Sequence, residues 1–415
     1  MHDVTPSNRT RRHRLRRRIK VFFILGVVLV VASGGYVGYV AIRSAQPITL
    51  PTPTGPYPVG RTVTEWTDHT RTDPLAPQPG MSRELSVWLW YPASPHPGAQ
   101  PAPYAPGAWA GLHLGGLPGL GETSFEDVHN HAFADVAAAT GRFPVVVLAP
   151  GMGFAAPQYT TLAENLASHG YVVAGVTPTY SANLTVLHGQ PVSATDAGNP
   201  ALDANNLHVG QPQADGDRLA GIWAADTRFV ATQAATLDIS GRLAGHVNAT
   251  KTVYIGHSFG GAAALEACRS DPQCAGAADL DGTQYGSVVH GGLTKPMMLI
   301  GSENSCITGT CQPATPGDQA DHDTANALLT ASAGPTWCYR IKNAEHFNFS
   351  DYGSYYLAAP IRPQLALGTI DGADALTITN AYLTAFADHV TQGRPEPLLT
   401  YATPDTQVDV QHTPS

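Results

Sequence analysis

The sequence predicts an α/β protein with a mostly parallel central sheet, helices on both faces and one transmembrane helix ahead of the sheet. Short apolar runs such as 145–149, typical of strands buried on both faces, alternate with segments of helical period. This alternation predicts parallel strands joined by helices that cover the two faces of one sheet. An uncharged stretch, Val21–Ile42, precedes the alternation and predicts the membrane helix.

The composition allows a large packed core and argues against a nucleic-acid partner. Of 415 residues, 43% are hydrophobic and 13% are charged, and the net charge is −9. Eight of the 23 Lys and Arg residues lie within residues 1–20, so the rest of the chain holds 15 basic against 31 acidic residues. Because such an acidic body repels phosphate backbones, we expect no nucleic-acid binding.

The N-terminus predicts a basic cytoplasmic tail over 1–20 and a transmembrane signal anchor over 21–42. An apolar run of this length crosses ~30 Å of hydrocarbon as a helix. The basic residues precede the run and only Arg43 follows closely, so the N-terminus is expected in the cytoplasm and the body outside the cell. Secretion after signal cleavage is the alternative, with Val30-Val31-Ala32 as a small-residue cleavage site.

The cysteine spacing suits an oxidising exterior. Cys268 and Cys274 lie six positions apart, and Cys306 and Cys311 lie five apart, which leaves Cys338. Each pair could close a small disulfide loop, although spacing alone does not fix connectivity. Zinc binding is the alternative, but the sequence has no CxxC and no histidine in ligand register, so we expect no metal.

The rest of the chain reads as a linker and one domain. Residues 43–60 are Pro-rich and predict a semi-rigid linker, and no internal repeat divides 61–412. A long polar excursion, 181–217, is of the kind that covers a site or moves. The other predicted elements, in chain order, are a strand over 85–91, a short helix near 124–139, a strand over 145–149, a helix through 159–166, a strand over 171–176, a helix over 218–238, a strand over 252–256, a helix over 259–268, strands over 275–280 and 295–301, a helix over 320–331, a strand over 337–342 and a helix over 374–391.

Gly256-His257-Ser258-Phe259-Gly260 matches the pattern G-x-S-x-G. An apolar strand enters the motif and an Ala-rich helix leaves it, which predicts a sharp nucleophile elbow at Ser258. Gly256 and Gly260 supply the room that lets the helix approach the sheet. Such a turn lifts the hydroxyl above the sheet and aims the helix N-terminus at an incoming oxyanion. An idle serine in a glycine-rich turn is the alternative.

A serine nucleophile needs a base, and the base needs an orienting acid. In α/β-hydrolases the chain order is Ser, then Asp or Glu, then His. Asp281 follows the strand over 275–280, where strand tips point into the site of such a sheet, and is the predicted acid. Asp279 is expected as a packed carboxylate, and Glu303, after the next strand, is the alternative acid.

His346 is the predicted base. It follows the last predicted strand, 337–342, after Asn343-Ala344-Glu345, on a loop at the carboxyl end of that strand. The other candidates are expected to be solvated surface imidazoles: His290 in a Gly-rich loop, His322 at a helix start, His389 late in a helix and His412 in the tail.

An oxyanion hole requires two backbone N–H donors. One is expected from Phe259, directly after the nucleophile. The other is expected from Met152, in the turn Pro150–Gly153 that follows the strand over 145–149. A plain strand-ending turn is the alternative interpretation of these glycines.

With these residues placed, the sequence resembles the platelet-activating factor acetylhydrolase family of the plasma and isoform II type, in its bacterial form. The resembling segments occur in the family's order and span essentially 61–412: they are Phe143–Gly153, Leu166–Val173, Asp226–Val230, Gly256–Gly261, Asp279–Gly286 and Glu345–Tyr352.

The family implies an α/β-hydrolase fold, a Ser-Asp-His triad and no metal requirement. By that resemblance Ser258 is the nucleophile, Asp281 the acid and His346 the base, with Met152 and Phe259 as oxyanion donors. The chain departs from the family at Pro150, where many members have His, and in the segments 93–142 and 181–217.

The expected function is therefore that of a membrane-anchored, extracytoplasmic serine carboxylic ester hydrolase without a cofactor. It would act through an acyl-enzyme on a small-molecule or lipid ester, such as a short-acyl ester or phospholipid. A polyester or cutinase-like hydrolase and a catalytically silent binding or scaffold protein of the same fold are the alternatives.

Overall fold

A ten-stranded sheet organises the protein. The computed structural model describes residues 8–112, 123–200, 211–237, 241–359, 366–400 and 405–414. Its strands are β1 (Ile48–Thr49), β2 (Val59–Thr72), β3 (Ser82–Pro92), β4 (Val128–His129), β5 (Phe133–Ala134), β6 (Phe143–Ala149), β7 (Val172–Thr177), β8 (Thr185–Leu187), β9 (Gln190–Val192), β10 (Val247–His257), β11 (Cys274–Leu280), β12 (Met297–Gly301), β13 (Thr336–Ile341) and β14 (Val408–His412).

The sheet order is β14-β13-β12-β11-β10-β6-β7-β3-β2-β5. The six strands from β13 to β7 pair in parallel, while β14, β3 and β2 join antiparallel to a neighbour. This confirms the expected mostly parallel sheet. Helix α1 (Asn8–Ser44) precedes the strands, and the helices between them are α2 (Thr160–Ser168), α3 (Gln211–Thr236), α4 (Phe259–Ser270), α5 (Val288–Gly291), α6 (Pro316–Ala331) and α7 (Gly372–Gln392).

Two separate cores, one on each face, explain the apolar runs. Val146 and Leu148 in β6 pack in the core that contains α2 and α7. Val145 and Val147 point the other way, into the core that contains α3 and α4. Because alternate residues of a strand face opposite sides, a strand covered on both sides must be apolar throughout.

The prediction of a short helix near 124–139 is wrong. The segment holds a single 3-10 turn, Phe125–Asp127, followed by the two-residue strands β4 and β5. Its apolar residues recur at helical spacing, but they are buried without a helix: Phe125, Val128 and Ala132 lie in the core that contains α2 and α7, and Val136 lies in the opposite core.

Several other boundaries differ from the expectation. Helix α1 begins at Asn8, so the residues of the basic tail from 8 onward are helical. A hairpin, β8–β9, and the start of α3 lie inside the excursion 181–217, of which 201–210 fall outside the described residues. His412 ends β14 rather than lying in an irregular tail. The span Arg16–Ser44 contains an 18-residue window with a mean hydropathy of 2.3, which suits either a membrane anchor or a signal sequence.

Both expected disulfide pairs are present. Cys268–Cys274 joins the end of α4 to the start of β11, and Cys306–Cys311 closes a loop after β12. Cys338 is buried in β13 without a disulfide partner.

A buried carboxyl fixes the segment that leads into β6. Glu164 in α2 is fully buried and accepts the backbone N–H groups of His131, at 3.1 Å, and Ala132, at 2.8 Å. Burial raises the pKa of Glu164 to about 8. The folded protein therefore holds a proton there that the unfolded chain has already lost near pH 6.

We expect Glu164→Gln to remove part of the loss of stability at rising pH. Between the ordinary pKa of 4.5 and the folded value of about 8, the folded state binds more protons than the unfolded state. Each pH unit in that window therefore lowers the free energy of unfolding by up to about 1.4 kcal/mol. Thermal unfolding in detergent at pH 5, 6.5 and 8 should show a shallower decline for the variant. The exposed Glu126→Gln is the matched control and should keep the wild-type slope.

Candidate active site

The turn at Ser258 has the backbone expected of a nucleophile elbow. Ser258 lies between the end of β10 and the start of α4 with φ 55° and ψ −129°, a conformation that costs a non-glycine residue energy. At the two glycines of the motif the chain packs too closely to leave room for a side chain. A Cβ at Gly256 would lie 2.0 Å from the Gly260 carbonyl oxygen, and one at Gly260 would lie 2.3 Å from the Pro150 oxygen.

The structure brings Ser258, His346 and Asp281 together. His346 Nε2 is 2.9 Å from Ser258 Oγ, and His346 Nδ1 is 2.8 Å from Asp281 Oδ2. A carboxylate only accepts, so Nδ1–H donates to Asp281 and Nε2 accepts from the serine hydroxyl. This is the tautomer in which an imidazole can take the serine proton.

Asp281 is held as an acceptor from several sides. It follows β11 directly, has φ 56° and is 7% exposed. Burial alone would raise its pKa, but hydrogen bonds from His346, the Ser302 backbone N–H and the Ser305 side chain outweigh burial and lower it. The carboxylate is therefore ionised at neutral pH and faces the imidazole. His346 itself is 33% exposed at its side chain, as a group that meets substrate must be.

The other candidate acids are engaged elsewhere. Glu303 accepts the Asn343 backbone N–H at 2.7 Å. Asp279 accepts from the Gly282 N–H at 3.0 Å and from Gln284 at 3.3 Å, and burial raises its pKa well above the ordinary value. It is thus the packed carboxyl that the sequence suggested.

The remaining candidate bases lie on outer elements. His290 is in the short helix α5 rather than in a loop, and His322 lies inside α6, where its ring contacts Asp323 and Asn326. His389 contacts the Arg394 carbonyl oxygen at the end of α7, and His412 ends β14.

Of the two expected oxyanion donors, Phe259 follows Ser258 directly in the chain, and Met152 follows Gly151, which lies against Ser258. Phe259 is the first residue of α4, where a helix leaves backbone N–H groups without helical partners. Met152 lies in the turn after β6, whose Gly151 would bring a Cβ within 3.2 Å of the Ser258 Cβ. Met152 packs on the apolar cluster that contains Phe259. Their role as donors remains a prediction.

Sequence reasoning missed a buried histidine at this site. His257, named only as a variable position of the motif, is 0% exposed, and its ring centroid lies 4.7 Å from that of His346, with the two planes tilted by 40°. Burial, with the neighbouring His346, lowers its pKa to about 3, so the ring is neutral. A polar residue directly after the apolar run 253–256 was the available signal.

Comparison with known proteins supports the same chemistry. No protein-family model matches the chain. Platelet-activating factor acetylhydrolase from Cavia porcellus is 24% identical over 261 residues, which cover 59% of this chain and 57% of that protein. The match therefore spans less than two thirds of the curated relative. A solved ferulic acid esterase from Streptomyces cinnamoneus is 28% identical, with a TM-score of 0.73 over 88% of this chain and all of the other.

The fold and these comparisons confirm the class that the sequence predicts, an α/β-hydrolase similar to carboxylic ester hydrolases. Within that class, the resemblance to platelet-activating factor acetylhydrolase is also confirmed, because a protein of that name is a relative at low identity.

Asp281→Asn should lower kcat for a p-nitrophenyl ester by roughly 10³–10⁴-fold, because an amide at this position favours the wrong imidazole tautomer. Glu303→Gln tests the alternative acid. Its amide oxygen can still accept the Asn343 N–H, so turnover should stay near the wild-type value. Near-normal activity of the Asp281 variant, with loss in the Glu303 variant, would move the acid to position 303.

Proposed function

We propose that this protein is a serine carboxylic ester hydrolase with Ser258 as nucleophile, His346 as base and Asp281 as acid. The observation that carries the proposal is the unbroken hydrogen-bond series from the Ser258 hydroxyl through the His346 ring to the Asp281 carboxylate. The strained elbow and the ionised, buried acid support it. No step requires a metal or an organic cofactor.

The reaction would proceed through an acyl-enzyme. Ser258 Oγ attacks the ester carbonyl while His346 Nε2 takes its proton, and the negative oxygen is bound by the Met152 and Phe259 N–H groups. The protonated imidazole then gives its proton to the leaving alcohol as the carbon–oxygen bond breaks. A water molecule then attacks the acyl-enzyme carbonyl while His346 Nε2 takes a proton from it. The imidazole gives that proton to Ser258 Oγ as the acyl–oxygen bond breaks, which releases the carboxylic acid and restores Ser258.

The side chains around one predicted oxyanion donor favour a short acyl group. Phe259 is 5% exposed, and the Trp223 ring packs edge-on 5.0 Å from it. The Tyr285 ring also packs against Phe259, with the ring centroids 5.5 Å apart. With this side of the site filled by aromatic rings, acetyl and similarly short esters, including short-acyl phospholipids, are the proposed substrates. The likeness to a ferulic acid esterase favours esters of aromatic acids as the second candidate.

The proposed location is the outer face of the cell membrane, with α1 as a single-pass anchor and the N-terminus in the cytoplasm. The basic residues before the span and the two disulfides support this orientation. Secretion after signal cleavage remains the alternative.

A fluorophosphonate probe should label the full-length protein, and Ser258→Ala should abolish the labelling. The probe reacts with a serine only where a base and an oxyanion site activate it. An unlabelled wild-type protein would favour the silent binding or scaffold alternative.

Sedimentation of the labelled band with alkali-washed membranes tests the anchor, since a cleaved, secreted protein would appear in the medium.

A panel of esters should show kcat/KM falling as the acyl chain lengthens from acetate to octanoate. Methyl ferulate and a short-acyl phospholipid separate the two candidate substrate classes. Polymer film is the third substrate, for the polyester alternative. Highest kcat/KM on octanoate, or release of acid from film alone, would contradict the short-acyl proposal.

A further inference from the structure

A second hydrogen-bond series passes behind the nucleophile. It starts at the His346 backbone carbonyl, which accepts from His257 Nε2 at 2.9 Å. His257 Nδ1 lies 2.7 Å from the Tyr159 hydroxyl. That hydroxyl oxygen in turn accepts the Gly151 backbone N–H at 2.8 Å. The series therefore begins at the loop of the base and ends in the turn of Met152.

The partners fix the direction of every bond in the series. A carbonyl oxygen only accepts, so His257 carries its proton on Nε2 and its Nδ1 is an acceptor. The Tyr159 hydroxyl must then donate to Nδ1, and its oxygen is left to accept from Gly151. All donors and acceptors in the series are thus used once, in a region where His257 and Tyr159 are both 0% exposed.

Packing makes the series rigid. A Cβ at Gly151 would lie 3.2 Å from His257 Nδ1 and from the Tyr159 hydroxyl, so no water or side chain separates the turn from the pair. The His257 ring lies between the His346 ring, 4.7 Å away, and the Tyr159 ring, 5.7 Å away. A phenyl ring at position 257 would fill the same space but would leave a carbonyl and a hydroxyl unsatisfied.

We propose that His257 and Tyr159 are positioning residues that hold the His346 loop and the oxyanion turn in one register. The inference rests on the proposed function, because it assigns these two residues to the geometry of the same reaction. Neither side chain is assigned contact with the substrate. Their effect would pass through the position of the imidazole and of the Met152 N–H.

Tyr159→Phe removes one hydroxyl and keeps the ring. We expect it to lower kcat for a short p-nitrophenyl ester about 10-fold, with KM changed less than about twofold, because the lost hydrogen bond positions groups that act in the transition state. His257→Leu should lower kcat at least as much. His257→Gln should recover part of the loss, since an amide offers a donor and an acceptor. The double variant Tyr159→Phe/His257→Leu should be no slower than His257→Leu alone.

Tyr171→Phe is the matched control. Tyr171 is also 0% exposed, and its hydroxyl donates to Asp388 at 2.5 Å, but it lies at the amino end of β7, whereas Ser258 lies at the carboxyl ends of the parallel strands. It should lower thermal stability while kcat stays at the wild-type value. Equal kcat in the two Tyr→Phe variants, or additive losses in the double variant, would overturn the proposal.

A measurement without turnover separates this inference from the proposed function. The His257 imidazole N–H is buried and bonded to a carbonyl, so its proton resonance should be visible at neutral pH and absent in His257→Leu. We expect this resonance to shift in Tyr159→Phe and to stay unchanged in Tyr171→Phe. A wild-type protein without labelling or hydrolysis would defeat the proposed function alone, whereas an unshifted resonance in Tyr159→Phe would defeat the inference.

Discussion

The left-handed backbone of Ser258 is the constraint on which the rest of the site depends. A residue at φ 55° reverses the chain so sharply that β10 runs directly into α4, and the hydroxyl stands clear of the sheet. The conformation is costly and persists only because the surroundings fit no other. Gly256 and Gly260, two residues to either side, are positions where a Cβ would collide with backbone oxygens. The elbow thus determines where the base, the acid and the oxyanion turn must meet it.

Two carboxyl groups near the carboxyl end of β11 show how partners decide the state of an acid. Asp279 and Asp281 are two residues apart and both are buried. Burial raises the pKa of both, but Asp281 gains His346, the Ser302 N–H and Ser305 as donors and its pKa falls. Asp279 has weaker compensation and its pKa stays raised. Asp281 is thus an ionised acceptor and Asp279 a packed polar group, although both are aspartates at the same end of β11.

The order of the elements and the elbow residues Gly256, Ser258 and Gly260 could be predicted from the sequence, since both follow from local patterns. The buried strands were predictable because two covered faces demand continuous apolar residues, as in β6. The prediction of a helix near 124–139 was wrong because apolar residues at helical spacing can also be buried by a chain that forms only a turn and short strands. The part played by His257 had no spacing rule to find it, since its partners Tyr159 and His346 lie 98 and 89 positions away.

The balance between burial and polar partners also explains a buried ion cluster outside the candidate triad. Arg83 is 0% exposed and binds Asp226 at 2.7 Å, Asp73 at 2.9 Å and the Thr179 carbonyl oxygen at 2.8 Å. Buried ion pairs add little net stability, because desolvation offsets their attraction, but they strongly penalise other arrangements. Thr179, whose carbonyl oxygen Arg83 binds, lies at the start of the loop that reaches Asn183, and the Asn183 N–H donates to the Gly153 oxygen at 2.8 Å. The cluster therefore fixes the start of the loop whose Asn183 is hydrogen-bonded to the turn after β6.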